Sequence, residues 1–228
     1  NWKYNYSRDT NSENELGFSK FDVPHRLMAQ LSYTTPKYLN GWTSTTISVI
    51  YNGFSGSRYS LTMNEVSDFN GDGQKGNSLL YIPTEAEMDN MNFVDYTDQK
   101  TGKLIMSAAD SRKAFTEWVN NDDYAKNHRG QYAERNSNLS NWEHEIDLHL
   151  AQTIYNAQGL GKLEFTFDII NFANMLNKKW GASYSSAYNL SPLTVVSLST
   201  DENGNRNPGY AFNNAKINKS DISSRWHA

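Results

Sequence analysis

The sequence predicts an all-β chain of antiparallel strands, each apolar on one face and polar on the other, joined by connections that alternate in length. Three observations predict it. Apolar residues recur at every second position over long stretches, the period of a strand whose side chains point to alternate faces. Aromatic residues make up 13% of the 228, with Tyr 14, Phe 10 and Trp 6, although mean hydropathy is only -0.75. The connections run long (7–21), short (35–41), long (62–139), short (156–161) and long (174–221).

Composition narrows the classes. The chain has no cysteine, so neither a disulfide framework nor thiol chemistry belongs to it. No run approaches the roughly 18 apolar residues of a membrane-spanning helix. A net charge of -4 with no basic stripe argues against nucleic acid. Low hydropathy with many aromatics fits a carbohydrate-binding β-domain in water. It fits equally an outer-membrane β-barrel, whose strands are apolar on alternate residues only and carry aromatic girdles.

The elements follow in order. Asn1 to Tyr6 alternates like the middle of a strand, so the chain reads as cut from something longer. Ser7 to Lys20 is a polar loop. A strand enters at Val23-Pro24-His25, where Pro is tolerable. It puts Leu27, Ala29, Leu31 and Tyr33 on one face, and Arg26, Met28, Gln30 and Ser32 on the other. After the turn Thr35 to Gly41, Thr43, Thr45, Ile47, Val49 and Tyr51 oppose Ser44, Thr46, Ser48, Ile50 and Asn52, with an extension expected to about Leu61.

From Thr62 to Leu139 no strand of that quality is expected, but two helices are. Thr84 with Glu87 matches a capping box. Ser107 to Asn120 carries a helical stripe of Ala108, Ala114, Phe115, Trp118 and Val119, expected to hold the helix against its own loop. Trp142 to Asn177 then reads as a hairpin. Ile146, Leu148, Leu150 and Ile154 face one way, interrupted by Gln152, and Leu163, Phe165, Phe167 and Ile169 return on the same face. The turn is Asn156 to Gly161, with Asn and Gly supplying its backbone angles. A ribbon is expected within Tyr184 to Ser199, and the start of one more strand at Ile222 to Ala228.

Antiparallel neighbours joined in this rhythm place every long loop at one end and every short turn at the other, the asymmetry of transmembrane barrels. On that reading the apolar faces touch lipid. The lumen receives Arg26, Gln30, Glu145, Asp147, His149, Glu164 and Asp168, whose charges would be costly against hydrocarbon. Tyr38 and Trp42 near the short-turn end, and Tyr51 and Phe54 further up the strand, suit two interfacial aromatic belts. On the alternative reading, a soluble surface β-domain binding glycan or calcium, the same apolar residues meet one another in a closed core.

Four segments carry a family resemblance: FDVPHRL at 21–27, GNSLLYIP at 76–83, RGQYAERN at 129–136 and NFANMLNKKWG at 171–181. As an ordered set they resemble the C-terminal β-barrel segment of TonB-dependent outer-membrane receptors from Bacteroidetes-type bacteria, particularly the Oar-like group, related more loosely to SusC. The resemblance covers nearly the whole chain. It implies the last strands of a barrel of roughly 22 strands with long, partly helical extracellular loops and an N-terminal plug. It also implies residence in a Gram-negative outer membrane and uptake of a bulky solute with energy from TonB acting through the plug. A surface lipoprotein or other envelope protein is a further candidate partner. Plug, TonB box and closing strand are missing from this chain, which holds five or six expected strands. Residues 222–228 would begin the last one.

Candidate chemistry is sparse. Asp68-Phe69-Asn70-Gly71-Asp72-Gly73 resembles the front of a calcium loop, with Asp68, Asn70 and Asp72 as candidate ligands and Ca2+ the candidate cofactor. The twelfth position is Leu79, so the bidentate carboxylate is missing, and Glu65 or a water is the candidate substitute. His144-Glu145 with His149 does not make a zinc-protease motif, because the spacing is five and a strand points the two histidines to opposite faces. The carboxylates Glu143, Glu145, Asp147, Glu164 and Asp168 read as a polar ladder paired with Arg and Lys of neighbouring strands rather than as a glycosidase pair. No catalytic residue is expected. Arg129, Glu134 and Arg135, with Trp118, are assigned to the mouth of the long loop, where the charged groups pin the loop and a solute would enter.

Overall fold

A computed structural model describes residues 5–9, 16–65, 68–98, 100–156, 161–185, 188–220 and 223–228. The chain order begins β1 (Arg26–Thr34), β2 (Thr43–Phe54), β3 (Arg58–Glu65), β4 (Tyr81–Ile82), α1 (Glu85–Asn90), β5 (Tyr96–Thr97), β6 (Leu104–Met106) and α2 (Ala108–Asn121). It continues with β7 (Gln131–Tyr132), β8 (Asn138–Leu139), β9 (Glu143–Tyr155), β10 (Lys162–Ile169) and α3 (Phe172–Leu176). It closes with β11 (Ser183–Ser185), β12 (Asn189–Thr200), β13 (Arg206–Phe212) and β14 (Asn218–Ser220). The chain is mainly β, and among the described residues no sheet closes into a barrel. It divides into two compact units. A sheet unit comprises Val23–Ser57, Ser140–Ser185 and Ile217–Ala228, and an insert unit comprises Asn1–Asp22, Arg58–Leu139 and Ser186–Lys216.

The sheet unit is built on a four-stranded antiparallel sheet in the order β1-β2-β9-β10. Register fixes its faces. Leu31 opposes Val49, which opposes Leu148, and Ile169 completes the row; Tyr33, Ile47, Leu150 and Phe167 form the next. The period-two alternation read from sequence therefore becomes one apolar face and one polar face across all four strands. Two short connections join β1 to β2 and β9 to β10. The first turns through three successive left-handed residues, Leu39, Asn40 and Gly41. In the second, Ala157 to Leu160 lie outside the described residues. The long excursion leaves β2 at Phe54 and returns at Glu143, which stand directly opposite each other.

The expected extension of β2 to Leu61 does not form. The strand ends at Phe54, and at Gly56 an added Cβ would lie 2.0 Å from Ser140 Oγ and 2.5 Å from the Asn141 carbonyl. The chain bends there because no side chain obstructs so close an approach, and a new strand, β3, starts at Arg58. Of the opening half-strand Asn1 to Tyr6, the first four residues lie outside the described residues, as do 10–15 of the first long loop. Near the other end, Asp221 and Ile222 also lie outside them. The described remainder of that expected strand is a turn followed by a single antiparallel bridge between Ile170 and His227.

The insert unit is no open loop. Around β3 runs a second sheet, β13-β12-β3-β8, and β3 is buried on both faces. Leu61, Leu79, Leu80, Ile82, Phe115, Val119, Leu193 and Val195 form its core, each nearly inaccessible. The expected helices are present. Thr84 and Glu87 complete a reciprocal capping box on α1, and Ser107 caps α2, whose Phe115 and Val119 point into the core. Tyr184 to Ser199, expected to hold a ribbon of its own, instead contributes most of one long strand, β12, whose antiparallel partner β13 lies beyond that stretch. The parallel pairing of β12 with β3, Asn189 against Ser60 and Val195 against Glu65, joins segments more than a hundred residues apart.

Candidate functional site

The two-faced sheet is the feature with the clearest chemical consequence. On its apolar face Leu31 is 75% exposed, Leu163 56%, Phe165 58% and Phe167 53%; Leu27, Tyr33, Ile47, Val49 and Ile154 are also exposed. Aromatic and imidazole rings mark one end of this face. His25 stacks on Trp142 at 6.3 Å between centroids, Trp142 on His144 at 6.1 Å, and His144 on Tyr51 at 6.1 Å. The Tyr51 hydroxyl lies 2.8 Å from His144 Nδ1. At the short-turn end Tyr38 and Trp42 are exposed.

Gln152 is the polar interruption on the apolar face, and it is fully engaged at that short-turn end. Its Oε1 accepts from the Tyr38 hydroxyl at 3.0 Å and from the Thr45 hydroxyl at 2.8 Å, and its Nε2 donates to the Ser44 carbonyl. A side-chain amide with both ends bonded can sit beside apolar neighbours at little cost. The sequence placed Tyr38, Trp42 and Tyr51 in such belts and also Phe54. Phe54 has the opposite parity: it lies in register with Arg26 and Glu143 on the polar face. His25, Trp142 and His144 were missed, because they flank the regular runs and only register brings their rings together.

All seven residues assigned to the polar face share it: Arg26 and Gln30 on β1, Glu145, Asp147 and His149 on β9, Glu164 and Asp168 on β10. Their partners differ from those expected. Arg26 Nε donates to Asn52 Oδ1 at 3.0 Å, not to a carboxylate. His149 Nδ1 and Asp168 Oδ1 are 2.5 Å apart. Glu164 accepts from the Thr153 hydroxyl at 3.0 Å and stands 3.5 Å from Lys162 of its own strand. The ladder thus runs on hydroxyls, an imidazole and amides, because the residues directly opposite Arg26 and Lys162 on the neighbouring strands are Phe54 and Tyr155, not carboxylates.

The motif after β10 anchors the chain to this face. Asn171 takes a left-handed conformation, φ 55, and its backbone N–H donates to Asp147 Oδ1 at 2.8 Å. Its buried side chain donates to the carbonyls of Gly181 and Ser224. Glu143 accepts from the Tyr184 N–H at 3.0 Å. Carboxylates that sequence reading left in the ladder therefore also hold the outgoing segment.

The residues assigned to the mouth of the long loop belong to the insert unit. Arg129 donates to the Pro83 carbonyl at 3.1 Å and to Asn120 Oδ1 at 2.6 Å, so it ties its segment to α2. Trp118 stacks on Phe115. The Glu134 backbone N–H donates to the Tyr124 hydroxyl, and Arg135 lies against Gly17. A stronger anchor went unread. Arg58, 7% exposed, donates to Asp22 Oδ2 at 2.7 Å and to the Asn136 carbonyl, with Phe18 over its guanidinium at 3.9 Å. Arg112 donates to the carbonyls of Met88, Asp89 and Met91 and so caps the C-terminal end of α1. Burial pushes the Tyr59 and Tyr210 phenols up to about 12, with Asp122 adding to the effect at Tyr59.

The calcium-like loop is a compact turn. Asp68 Oδ1 accepts from the N–H groups of Gly71 and Asp72, and Oδ2 from that of Gly73. Leu79, at the twelfth position, is 1% exposed and committed to the core. Among the described residues no three His, Cys, Asp or Glu side chains gather as a metal cluster. His144 and His149 lie on opposite faces of β9.

Comparison with protein-family models, curated proteins and solved structures finds no match to this chain.

Proposed function

We propose that this chain is wall and outer loops from the C-terminal part of a TonB-dependent receptor in a Gram-negative outer membrane. The intact protein takes up a bulky solute, a peptide, glycan or chelate, through a plugged barrel. The observation that carries this reading is the exposed apolar face. Nine large apolar side chains are open on it, on the order of 1,000 Å² of apolar surface against the few hundred usual for a soluble monomer. Left in water, that area costs about 25 kcal/mol relative to burial. Lipid removes the cost without a second protein layer.

Dimensions and polarity agree with that solvent. β1, β2, β9 and β10 have 9, 12, 13 and 8 residues, near the roughly 9–11 residues of a tilted spanning strand. Tyr51 and Trp42 are nine positions apart, roughly 30 Å along a strand and about 23 Å after a 40° tilt, close to the apolar height of outer-membrane barrels. The opposite face is mainly polar, with Met28, Ile50 and Phe54 its large apolar members, as suits a lumen. The free edges of β1 and β10 require further strands in lipid. The resemblance carried by the four motifs supplies the remaining barrel, the plug and TonB as partners.

Cysteine accessibility in cells making the intact protein tests it. A membrane-impermeant thiol reagent should reach Thr166→Cys from the aqueous lumen and spare Phe167→Cys, and a lipid-soluble reagent should do the reverse. If Phe167→Cys is protected from both and the protein stays in solution without detergent, the apolar face is covered by protein. The soluble glycan- or calcium-binding β-domain then replaces the receptor.

A further inference from the structure

We propose that the turn from Asp68 to Gln74, with Glu65 and Asn77, is a calcium site of the insert unit, independent of the membrane reading. The motif alone would be a plain Asx turn. Two buried oxygens say otherwise. Glu65 is 8% exposed, and its Oε2 accepts from the N–H groups of Phe69 and Gly76, at the two ends of the turn. Among the described residues its Oε1 makes no well-formed hydrogen bond, although the Ser78 hydroxyl and N–H lie close to the carboxylate. Asn77 is 5% exposed; its Nδ2 donates to Asp72 Oδ2 at 2.5 Å, and its Oδ1 has no partner either. Both side chains are thus held against the turn with an acceptor oxygen left over, and a buried acceptor without a donor costs about 1–3 kcal/mol.

The remaining chemistry suits a hard cation. Asp68, Asn70 and Asp72 supply side-chain oxygens at alternate positions, and position seven of such a loop, here Gln74, uses its backbone carbonyl. Asn70 Nδ2 donates to Asp72 Oδ2 and its Oδ1 accepts from the Asp72 N–H, so the Asn70 amide is held against Asp72. Glu65, three residues ahead of Asp68 and on the end of β3, takes the part of the carboxylate that Leu79 cannot play. Ca2+ fits better than Mg2+, because mixed carboxylate and amide oxygens on a turn give a flexible shell of six or more rather than a tight octahedron.

Calorimetric titration of CaCl2 into the EDTA-stripped intact protein tests this. One Ca2+ per chain is expected, with Kd in the ~10⁻⁴–10⁻³ M range of extracellular modules. Asp72→Asn and Glu65→Gln should each weaken it about tenfold or more, and Asp201→Asn, in the β12–β13 turn, should leave it unchanged. Ca2+ should also slow tryptic cleavage after Lys75 in the wild-type protein, a readout that needs no variant to fold. Absence of saturable uptake, uptake indifferent to both site variants, or cleavage at the same rate with Ca2+ and EDTA would each overturn the site.

Discussion

Tyr51 lies across Gly53 to reach His144: its hydroxyl is 2.8 Å from Nδ1, and a Cβ on Gly53 would stand 2.4 Å from that hydroxyl. Gly53 is the register partner of both Leu27 and His144. The missing side chain is what lets the ring cover the middle strand and close the stacked row from His25 to Tyr51. A glycine in a strand is otherwise a weakness, and here a neighbouring ring fills the gap it leaves.

That relationship predicts a coupling. Tyr51→Phe removes one hydrogen bond and keeps the ring, a loss of about 1 kcal/mol. Gly53→Ala displaces the ring and should cost about 1–2 kcal/mol, within the usual range for overpacking. In a Tyr51→Ala background, Gly53→Ala should cost almost nothing, because nothing remains to be displaced. Urea unfolding of the four proteins measures the cycle. Additive losses would mean that Gly53 is needed for another reason.

Gly181 should be the less tolerant glycine. Its φ is +56, and an added Cβ would fall 1.7 Å from Asn171 Oδ1, a buried atom rather than a swinging tip. Gly181→Ala therefore combines a left-handed backbone with loss of the bonds from Asn171 to the Gly181 and Ser224 carbonyls. A cost of about 3 kcal/mol or more follows from summing strain and two lost buried bonds. Proteolysis should show the segment after β10 released, with cleavage near Lys178 and Lys179 accelerated. Asn171→Gly, which keeps the backbone permissive, should release it less.

How much of this could be read beforehand depended on exposure. β1, β2, β9 and β10 alternate cleanly between apolar and polar residues, so parity alone put the seven polar residues on one face. β3 gave no such signal. It is buried on both faces, and Ser60 and Thr62 sit inside it because Asn136 and Ser191 satisfy their hydroxyls. Its partner β12 lies far along the chain, a pairing that local periodicity does not encode. The Asp22–Arg58 ion pair stayed hidden for the same reason, since its partners are 36 residues apart.

Alkaline titration should report on the insert unit. The Tyr59 and Tyr210 phenols are raised by burial from 10.0 to about 12. For a group whose folded pKa is raised, the stability it contributes is whole below the unfolded value and is lost as pH rises through the folded one. Stability of the unit should therefore hold to about pH 10 and fall between 10 and 12. Tyrosinate absorbance should show Tyr59 and Tyr210 titrating last among the 14 tyrosines. Tyr59→Phe and Tyr210→Phe should each remove one and flatten the loss. Early titration of both would mean that water reaches their hydroxyls.

The contrast between faces can also be tested by charge. Phe167 sits in the row of Leu150, Ile47 and Tyr33, between the two aromatic ends, while Thr166 faces the other way between Glu164 and Asp168 on the same strand. If lipid covers the apolar face, Phe167→Arg puts a cation near the middle of the hydrocarbon and should cost about 2–4 kcal/mol. Thr166→Arg meets water and two carboxylates and should cost nothing or add a few tenths. Heat-modifiable mobility and detergent-phase unfolding of the intact protein measure both. Equal tolerance of the two, with protein recovered in solution, would mean that the face is aqueous. Failure of Phe167→Arg with the wild type also soluble would mean a protein core, since the residue would then be enclosed by a second layer and not by lipid.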